Sequence, residues 1–259
     1  MITAASDDSP LSGPAPLYSV VVPFFNEEDA VGPLLSEIST VLQQLDAPWE
    51  CLCVDDASSD ATARILTEHA SADSMRFRVI TFPQNRGQAA ALYRGLAEAC
   101  GDIIITMDGD GQNDPADIPL LLASLDSADL VCGIRATRHD TWLRKRMSRF
   151  ANRVRSAVLG DGMRDSGCAL KVMRREVVGA LMPIRTLYSF IPAQAVAAGF
   201  RVAERPVNHR ARQGGVSSYG LRAFFLYPLI DMMGMLWVRR RTILTTEDCR
   251  HSRAGRRPQ

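Results

Sequence analysis

Five apolar runs in the first half of the chain stop abruptly, and three of them stop in polar or acidic clusters. The runs are Tyr18–Pro23, Glu50–Val54, Phe77–Thr81, Ile103–Met107 and Asp129–Gly133. Asn26-Glu27 follows the first, Asp55-Asp56 the second and Asp108–Gln112 the fourth. Stretches with helical spacing lie between them: Glu27–Leu45, Asp60–Ala70 with Ser59 or Asp60 as N-cap, Gly87–Cys100 and Asp117–Leu125. Strands alternating with helices predict an α/β fold, a mostly parallel doubly wound sheet with helices on both faces. In such sheets ligands sit beyond the carboxyl ends of the strands. The three polar clusters therefore converge on one cleft.

The second half reads differently. Trp142–Leu159 is a basic helix, Asp165–Met173 a turn and strand, Tyr188–Ala198 a helix interrupted by Pro192, and Phe200–Val207 a strand. The chain's 259 residues suffice for one large α/β domain. The expected organisation is a loose tail over 1–17, a catalytic domain over 18–220, an apolar helical segment over 221–241 and a basic tail over 242–259. The net charge of +1 hides an asymmetry: residues 1–133 hold 5 Lys and Arg against 21 Asp and Glu, and the remainder 25 against 8. A basic half suits phosphates, nucleic acid or an anionic membrane. The six cysteines show no CxxC pair and no zinc-like spacing with the four histidines. Most lie in apolar runs, as buried free thiols do. Residues 1–17 lack a charged start and an apolar core, so the reading is a cytoplasmic protein without a signal peptide.

Asp108-Gly109-Asp110-Gly111-Gln112 leaves the fourth run with carboxylates at i and i+2. Extended backbone would send them to opposite faces, so a turn must aim both at one ion, and the two glycines permit it. Mg²⁺ or Mn²⁺ takes such oxygen ligands and bridges diphosphate oxygens. An EF-hand is excluded, because no Glu closes a twelve-residue loop begun at Asp108. A carboxylate in Asp55-Asp56 suits a base or ribose, while Ser59 or Asp60 suits a helix cap.

Four motifs occur in order: Val20-Val21-Val22-Pro23-Phe24-Phe25-Asn26-Glu27-Glu28, Val54-Asp55-Asp56-Ala57-Ser58-Ser59-Asp60, Asn85-Arg86-Gly87 and Met107-Asp108-Gly109-Asp110-Gly111-Gln112. Together, over about residues 18 to 240, the chain resembles family 2 glycosyltransferases with the A-type fold. The resemblance implies that Pro23, Phe25, Glu27, Val54, Asp56, Asp108 and Gly109 line the nucleotide-sugar pocket. It implies that Asp108 and Asp110 engage the diphosphate through Mg²⁺ or Mn²⁺, with Gln112 as a further ligand. Gly109 stands where relatives usually carry Ala, a small and harmless change on this reading.

Eight Lys and Arg fall within residues 135–155, opposed only by Asp140. Arg144 and Ser148, four apart, share a helix face and together suit a phosphate. RNA binding usually adds stacking aromatics, and only Trp142 and Phe150 are near, so no nucleic-acid partner is expected. Arg135, Asp140–Lys145, Ser148, Asn152, Asp165-Ser166-Gly167-Cys168 and Ser189–Pro192 resemble the polyprenyl-phosphate branch of the family. That branch includes dolichol-phosphate mannose synthases, and within it the chain resembles the undecaprenyl-phosphate 4-deoxy-4-formamido-arabinose transferase type. The resemblance places Arg135 on the donor diphosphate, Arg144 and Ser148 on the acceptor phosphate, and Asp165 near the sugar and the attacking oxygen. Asp165, Asp110 and Arg135 are the catalytic set, with a UDP-sugar as favoured donor and inversion as the stereochemistry. Capping the turn before Cys168 is an equal role for Asp165. Ser218 stands where relatives often carry a phosphate-binding Lys; Arg210 or Arg212 is the substitute on offer.

Phe224–Val238 is apolar except for Asp231 and contains Pro228 and Gly234. As a helix it spans roughly 22 Å, short of the ~30 Å hydrocarbon core. Arg239-Arg240-Arg241 follows it. An interfacial anchor at the cytoplasmic face, or a core or dimer helix in a homo-oligomer, fits this pattern. The competing functions are a family 2 enzyme acting on an envelope or soluble glycan, and a non-catalytic nucleotide-sugar-binding protein.

Overall fold

The computed structural model of the chain describes residues 16–135, 155–211 and 229–237. Arg144, Ser148, Arg212 and Ser218 lie outside the described residues, as do both chain ends and most of the stretch 142–159 expected as a basic helix. The elements are β1 (Tyr18–Phe24), α1 (Glu28–Gln43), β2 (Trp49–Asp55), α2 (Thr62–Ala72), β3 (Phe77–Thr81), α3 (Gln88–Glu98), β4 (Ile103–Thr106), α4 (Ile118–Leu122) and β5 (Leu130–Arg135). There follow α5 (155–159), β6 (Lys171–Arg174), α6 (Arg175–Val178), α7 (Leu187–Ala197), β7 (Val202–Val207) and α8 (229–237).

Seven strands form one sheet in the order β3-β2-β1-β4-β6-β5-β7. β1 pairs in parallel with both β2 and β4, so the chain reverses its direction of travel across the sheet beside β1. That reversal opens a crevice at the carboxyl ends of β1 and β4. The central strands β1, β2 and β4 are buried on both faces, as parallel strands covered by helices must be. Val20, Val22 and Phe24 face α1 in one core, with Leu35, Ile38, Cys51 and Cys53. Val21 faces the other, with Leu52, Leu92, Leu96, Ile104 and Ile191. The period of two in side-chain direction thus divides one Val-rich run between two cores.

β6 is the exception to parallel pairing. It runs antiparallel between β4 and β5, with Lys171 opposite both Thr106 and Cys132. An antiparallel strand begins where its parallel neighbours end. The segment leading into β6, Asp165 to Lys171, is therefore delivered to the same edge as the end of β4 and the end of β5. This orientation brings the second half of the chain to the cleft.

Other boundaries move by a few residues. β5 runs on to Arg135, which places that side chain at a strand end. α7 continues through Pro192 rather than breaking there. Proline removes one helical hydrogen bond, but Leu187, Phe190, Ile191, Ala193 and Ala195 on the same helix are all buried and hold it in place. The buried thiols of Cys132 and Cys168 are pushed up to about 12 and about 11, chiefly by loss of water, so both are unreactive at neutral pH.

Candidate active site

The loops after β1 and β2 fasten to each other before either helix begins. Ser58 Oγ accepts from the Asn26 amide at 3.0 Å, and Thr62 Oγ1 accepts from that of Glu27 at 2.8 Å. In return the Glu28 carboxylate accepts from the Ala61 amide at 2.9 Å, and Asn26 Oδ1 from that of Ser59 at 2.8 Å. Asp60 serves both helices, accepting from the amides of Glu28 and Thr62. Amides at the starts of α1 and α2 are thus satisfied across the two loops, which fixes one wall of the crevice.

Asp56 extends this wall. It is buried, and its two carboxylate oxygens accept from the backbone amides of Arg86 and Gly87, each at 2.7 Å. The sequence assigns Asp56 to a base or ribose. In the structure the carboxylate organises the Asn85-Arg86-Gly87 turn. Gly87, with φ 91°, then starts α3, whose first residue Gln88 donates from Nε2 to Asp108 Oδ1. Asp56 therefore acts on Asp108 through one turn and one amide. The Val54 side chain is fully buried and packs beneath Gly95 of α3. Phe25 is partly exposed at the crevice mouth, Pro23 lines it, and Glu27 is buried at the start of α1.

The Asp108–Gln112 turn closes on itself. Asp110 Oδ1 accepts from the Gln112 amide at 3.0 Å, Asn113 Oδ1 from the Asp108 amide at 3.2 Å, and Gly111 takes φ 73°. A strap after β7 holds the turn from outside. The Arg210 amide donates to the Gln112 carbonyl at 2.9 Å, and its guanidinium meets Glu37 and Asp114, each at 2.7 Å. Arg210 is thereby paired with two carboxylates.

Gly109 is needed more strictly than its sequence suggests. A Cβ there would lie 2.5 Å from Cδ1 of Phe24 and 2.7 Å from the Pro23 carbonyl oxygen. The oxygen is backbone and cannot swing away. Gly109→Ala is expected to destabilise the protein by about 1–3 kcal/mol, the usual cost of overpacking. Thermal melting checks this, and an unchanged midpoint would contradict the close approach.

Five charged side chains meet where β4 and β5 end and β6 begins. Asp108 and Asp110 form the acidic pair. The Asp108 carboxyl is pushed up to about 7, first by burial and then by Asp110, against the opposing influence of Lys171, Gln88 and Arg135. Lys171 is buried and donates to the Cys168 carbonyl. Arg135 grips Asp165 as a fork, Nε to Oδ2 at 2.8 Å and Nη2 to Oδ1 at 2.7 Å, and its own amide also reaches Oδ2. Glu204 Oε1 accepts from the Asp165 amide at 3.2 Å. Pro23, Gln88, Thr106, Asp108, Lys171 and Tyr188 line the base of the crevice.

Sequence reasoning singled out Asp108, Asp110, Arg135 and Asp165, and the structure brings them together. It missed Gln88 and Lys171. A lone Lys inside Leu170–Met173 was the available signal. Among the described residues no third His, Cys, Asp or Glu joins Asp108 and Asp110. Two carboxylates and the Gln112 amide suit a Mg²⁺ or Mn²⁺ that takes its remaining ligands from water and substrate phosphates, and do not suit an all-protein cage.

This combination of an A-type sheet with an acidic pair at the β4 end defines a glycosyltransferase, and the chain belongs to glycosyl transferase family 2, whose model matches residues 19–182. Among relatives, it is 36% identical over 227 residues to the dodecaprenyl-phosphate galacturonate synthase of Rhizobium johnstonii, an alignment covering 86% of this chain and 67% of the relative. Among solved structures, it is similar to glucosyl-3-phosphoglycerate synthase from Mycobacterium tuberculosis in complex with Mn²⁺, UDP and glucosyl-3-phosphoglycerate. There the TM-score is 0.65 at 21% identity, over 86% of this chain and 80% of that one. The same synthase with Mg²⁺ and UDP gives 0.63 at 20% identity, over 86% and 79%. At this identity the likeness is one of fold.

Proposed function

We propose that the chain transfers a glycosyl group, with inversion, from a nucleoside diphosphate sugar to a polyprenyl phosphate. The observation that carries the reaction type is the Asp108–Asp110 pair at the carboxyl end of β4, with the charges of Lys171 and Arg135 close to it. The acceptor class rests on similarity to the dodecaprenyl-phosphate galacturonate synthase along 86% of the chain. UDP is the favoured nucleotide, and UDP-galacturonate is the first donor to try.

In this reading a non-bridging oxygen of the lipid phosphate attacks the anomeric carbon. The bond from that carbon to the diphosphate oxygen breaks, and the electron pair leaves with UDP. A phosphate monoester has its second pKa near 6 and is largely dianionic at neutral pH. It needs no strong base, so alignment and charge stabilisation dominate. A bound Mg²⁺ or Mn²⁺ supplies charge neutralisation at the departing diphosphate. Asp108, Asp110 and Gln112 would hold it. Arg135 contributes a fixed positive charge beside them. Asp165, clamped by that guanidinium, acts as its orienting partner rather than as a free base. Arg144 and Ser148 are proposed for the acceptor phosphate, and the cytoplasmic membrane face is the proposed place of work.

A pH dependence follows. A carboxyl whose folded-state pKa is raised keeps more protons when folded than unfolded, so its contribution to stability is present at low pH and lost as pH rises through about 7. A divalent cation binds the ionised pair and releases that proton. Mn²⁺ should therefore raise the melting midpoint more at pH 8 than at pH 5.5. An equal shift at both values would remove Asp108 from the cation site.

The reading is tested by nucleotide release from UDP-sugars with undecaprenyl phosphate, undecaprenol or soluble glycans as acceptors. Release stimulated by the lipid phosphate alone is expected. Stimulation by a soluble glycan would replace the acceptor, and stimulation by undecaprenol would overturn phosphate as the nucleophile.

A further inference from the structure

Helix α8 divides its residues between two environments. Met235 is buried against Leu159, Phe190 and Ala193, and the Asp231 carboxylate accepts from the amide and hydroxyl of Thr186 at 2.9 and 2.6 Å. Thr186 is the N-cap residue of α7. The one acidic side chain of the segment is thus turned inward and used, and the helix is docked. Leu229, Ile230, Met233 and Trp237 remain 51%, 54%, 64% and 63% exposed. Ile230, Met233 and Trp237 lie one, four and eight positions after Leu229, within about 100° of the helix circumference at 3.6 residues per turn. Isolated exposed apolar residues need no explanation, but four large ones on one docked helix do.

We infer that this face of α8 seats on an anionic bilayer, at the depth of the headgroup boundary. Rested on the reading of a lipid-phosphate acceptor, it adds the surface by which the cleft meets that lipid. Three observations select a bilayer. Arg239-Arg240-Arg241 follow in the sequence one residue after Trp237, an order that interfacial helices use on anionic lipid. Four side chains offer roughly a few hundred Å², against the ~800 Å² per partner of a stable dimer. Asp231, the one acidic side chain of the segment, is turned onto Thr186, so no carboxylate on this helix opposes anionic headgroups. α8 packs on α7, whose Tyr188 and Ile191 line the base of the cleft, and seating α8 therefore sets the height of the cleft above the lipid.

The test is flotation of the full chain with phosphatidylcholine vesicles, with and without phosphatidylglycerol. The parent is expected to float with the anionic vesicles at least ten times more strongly than with neutral ones. The Leu229→Ser, Ile230→Ser, Met233→Ser triple variant should lose that binding at least tenfold. Its melting midpoint and its turnover of detergent-dispersed acceptor should stay at parental values. If the triple variant does not fold, Met233→Gln alone should lose binding several-fold. Undiminished flotation of the variants would overturn the inference, and so would a parental dimer that the substitutions convert to monomer without any vesicle binding. Failure to glycosylate polyprenyl phosphate would leave the flotation result standing and would count against the acceptor alone.

Discussion

Asp110→Ala should abolish turnover, by at least about a thousandfold, and abolish Mn²⁺-dependent binding of UDP. The size follows from what the side chain does. It is buried, holds the Gln112 amide and, with Asp108, supplies the negative charge that would anchor a cation against the donor diphosphate. Losing the charge stabilisation of a leaving group costs on the order of 3–4 kcal/mol at a single donor, and more where a whole cation is lost. The variant should still fold. Removing one of two opposed carboxylates relieves repulsion, so the Asp108 carboxyl should fall back towards the ordinary range and the melting midpoint should hold or rise. Titration calorimetry with UDP and Mn²⁺, beside a melting curve, separates the two effects. Near-normal turnover would remove the acidic pair from the site.

Arg135→Met should cost both stability and rate. It strands a carboxylate on Asp165 that is 4% exposed, and breaking a buried pair from one side typically costs about 3–5 kcal/mol. Asp165→Leu should cost somewhat less stability, because the partly exposed guanidinium can turn towards water. The double variant isolates function. With both charges gone the melting midpoint should recover most of the loss, while turnover should remain at least about a hundredfold down if Arg135 acts on the diphosphate. Recovery of turnover together with stability would make the pair structural only. The bidentate geometry also makes Arg135→Lys a poor substitute, since an ammonium cannot reproduce the fork.

Much of this site is legible in the residues because it lies at the ends of parallel strands. A Val-rich run that stops in Asp or Asn marks both the strand and its functional edge, and β1, β2 and β4 carry that signature. The second half hides its logic. Asp165–Met173 reads as a turn and strand, but direction is set by pairing with β4 and β5, more than twenty residues away in sequence. Only the antiparallel choice carries Asp165 and Lys171 to the Asp108 edge. The part Asp56 plays in the fold is hidden for a related reason: the two backbone amides its carboxylate accepts from belong to a turn thirty residues on. Val54 belongs to a strand buried on both faces, where motif membership says nothing of exposure. Gly109 reads as a harmless small residue until Phe24 and the Pro23 carbonyl are seen to fill the space that a methyl group would need.

The most direct measurement of the central claim is mass spectrometry of the lipid extract after the full chain is incubated with Mn²⁺, UDP-sugars and undecaprenyl phosphate in detergent. The account predicts a lipid heavier by one glycosyl residue, formed by the parent and absent with Asp110→Ala. An unmodified lipid with every donor, while UDP and Mn²⁺ still bind, would contradict it.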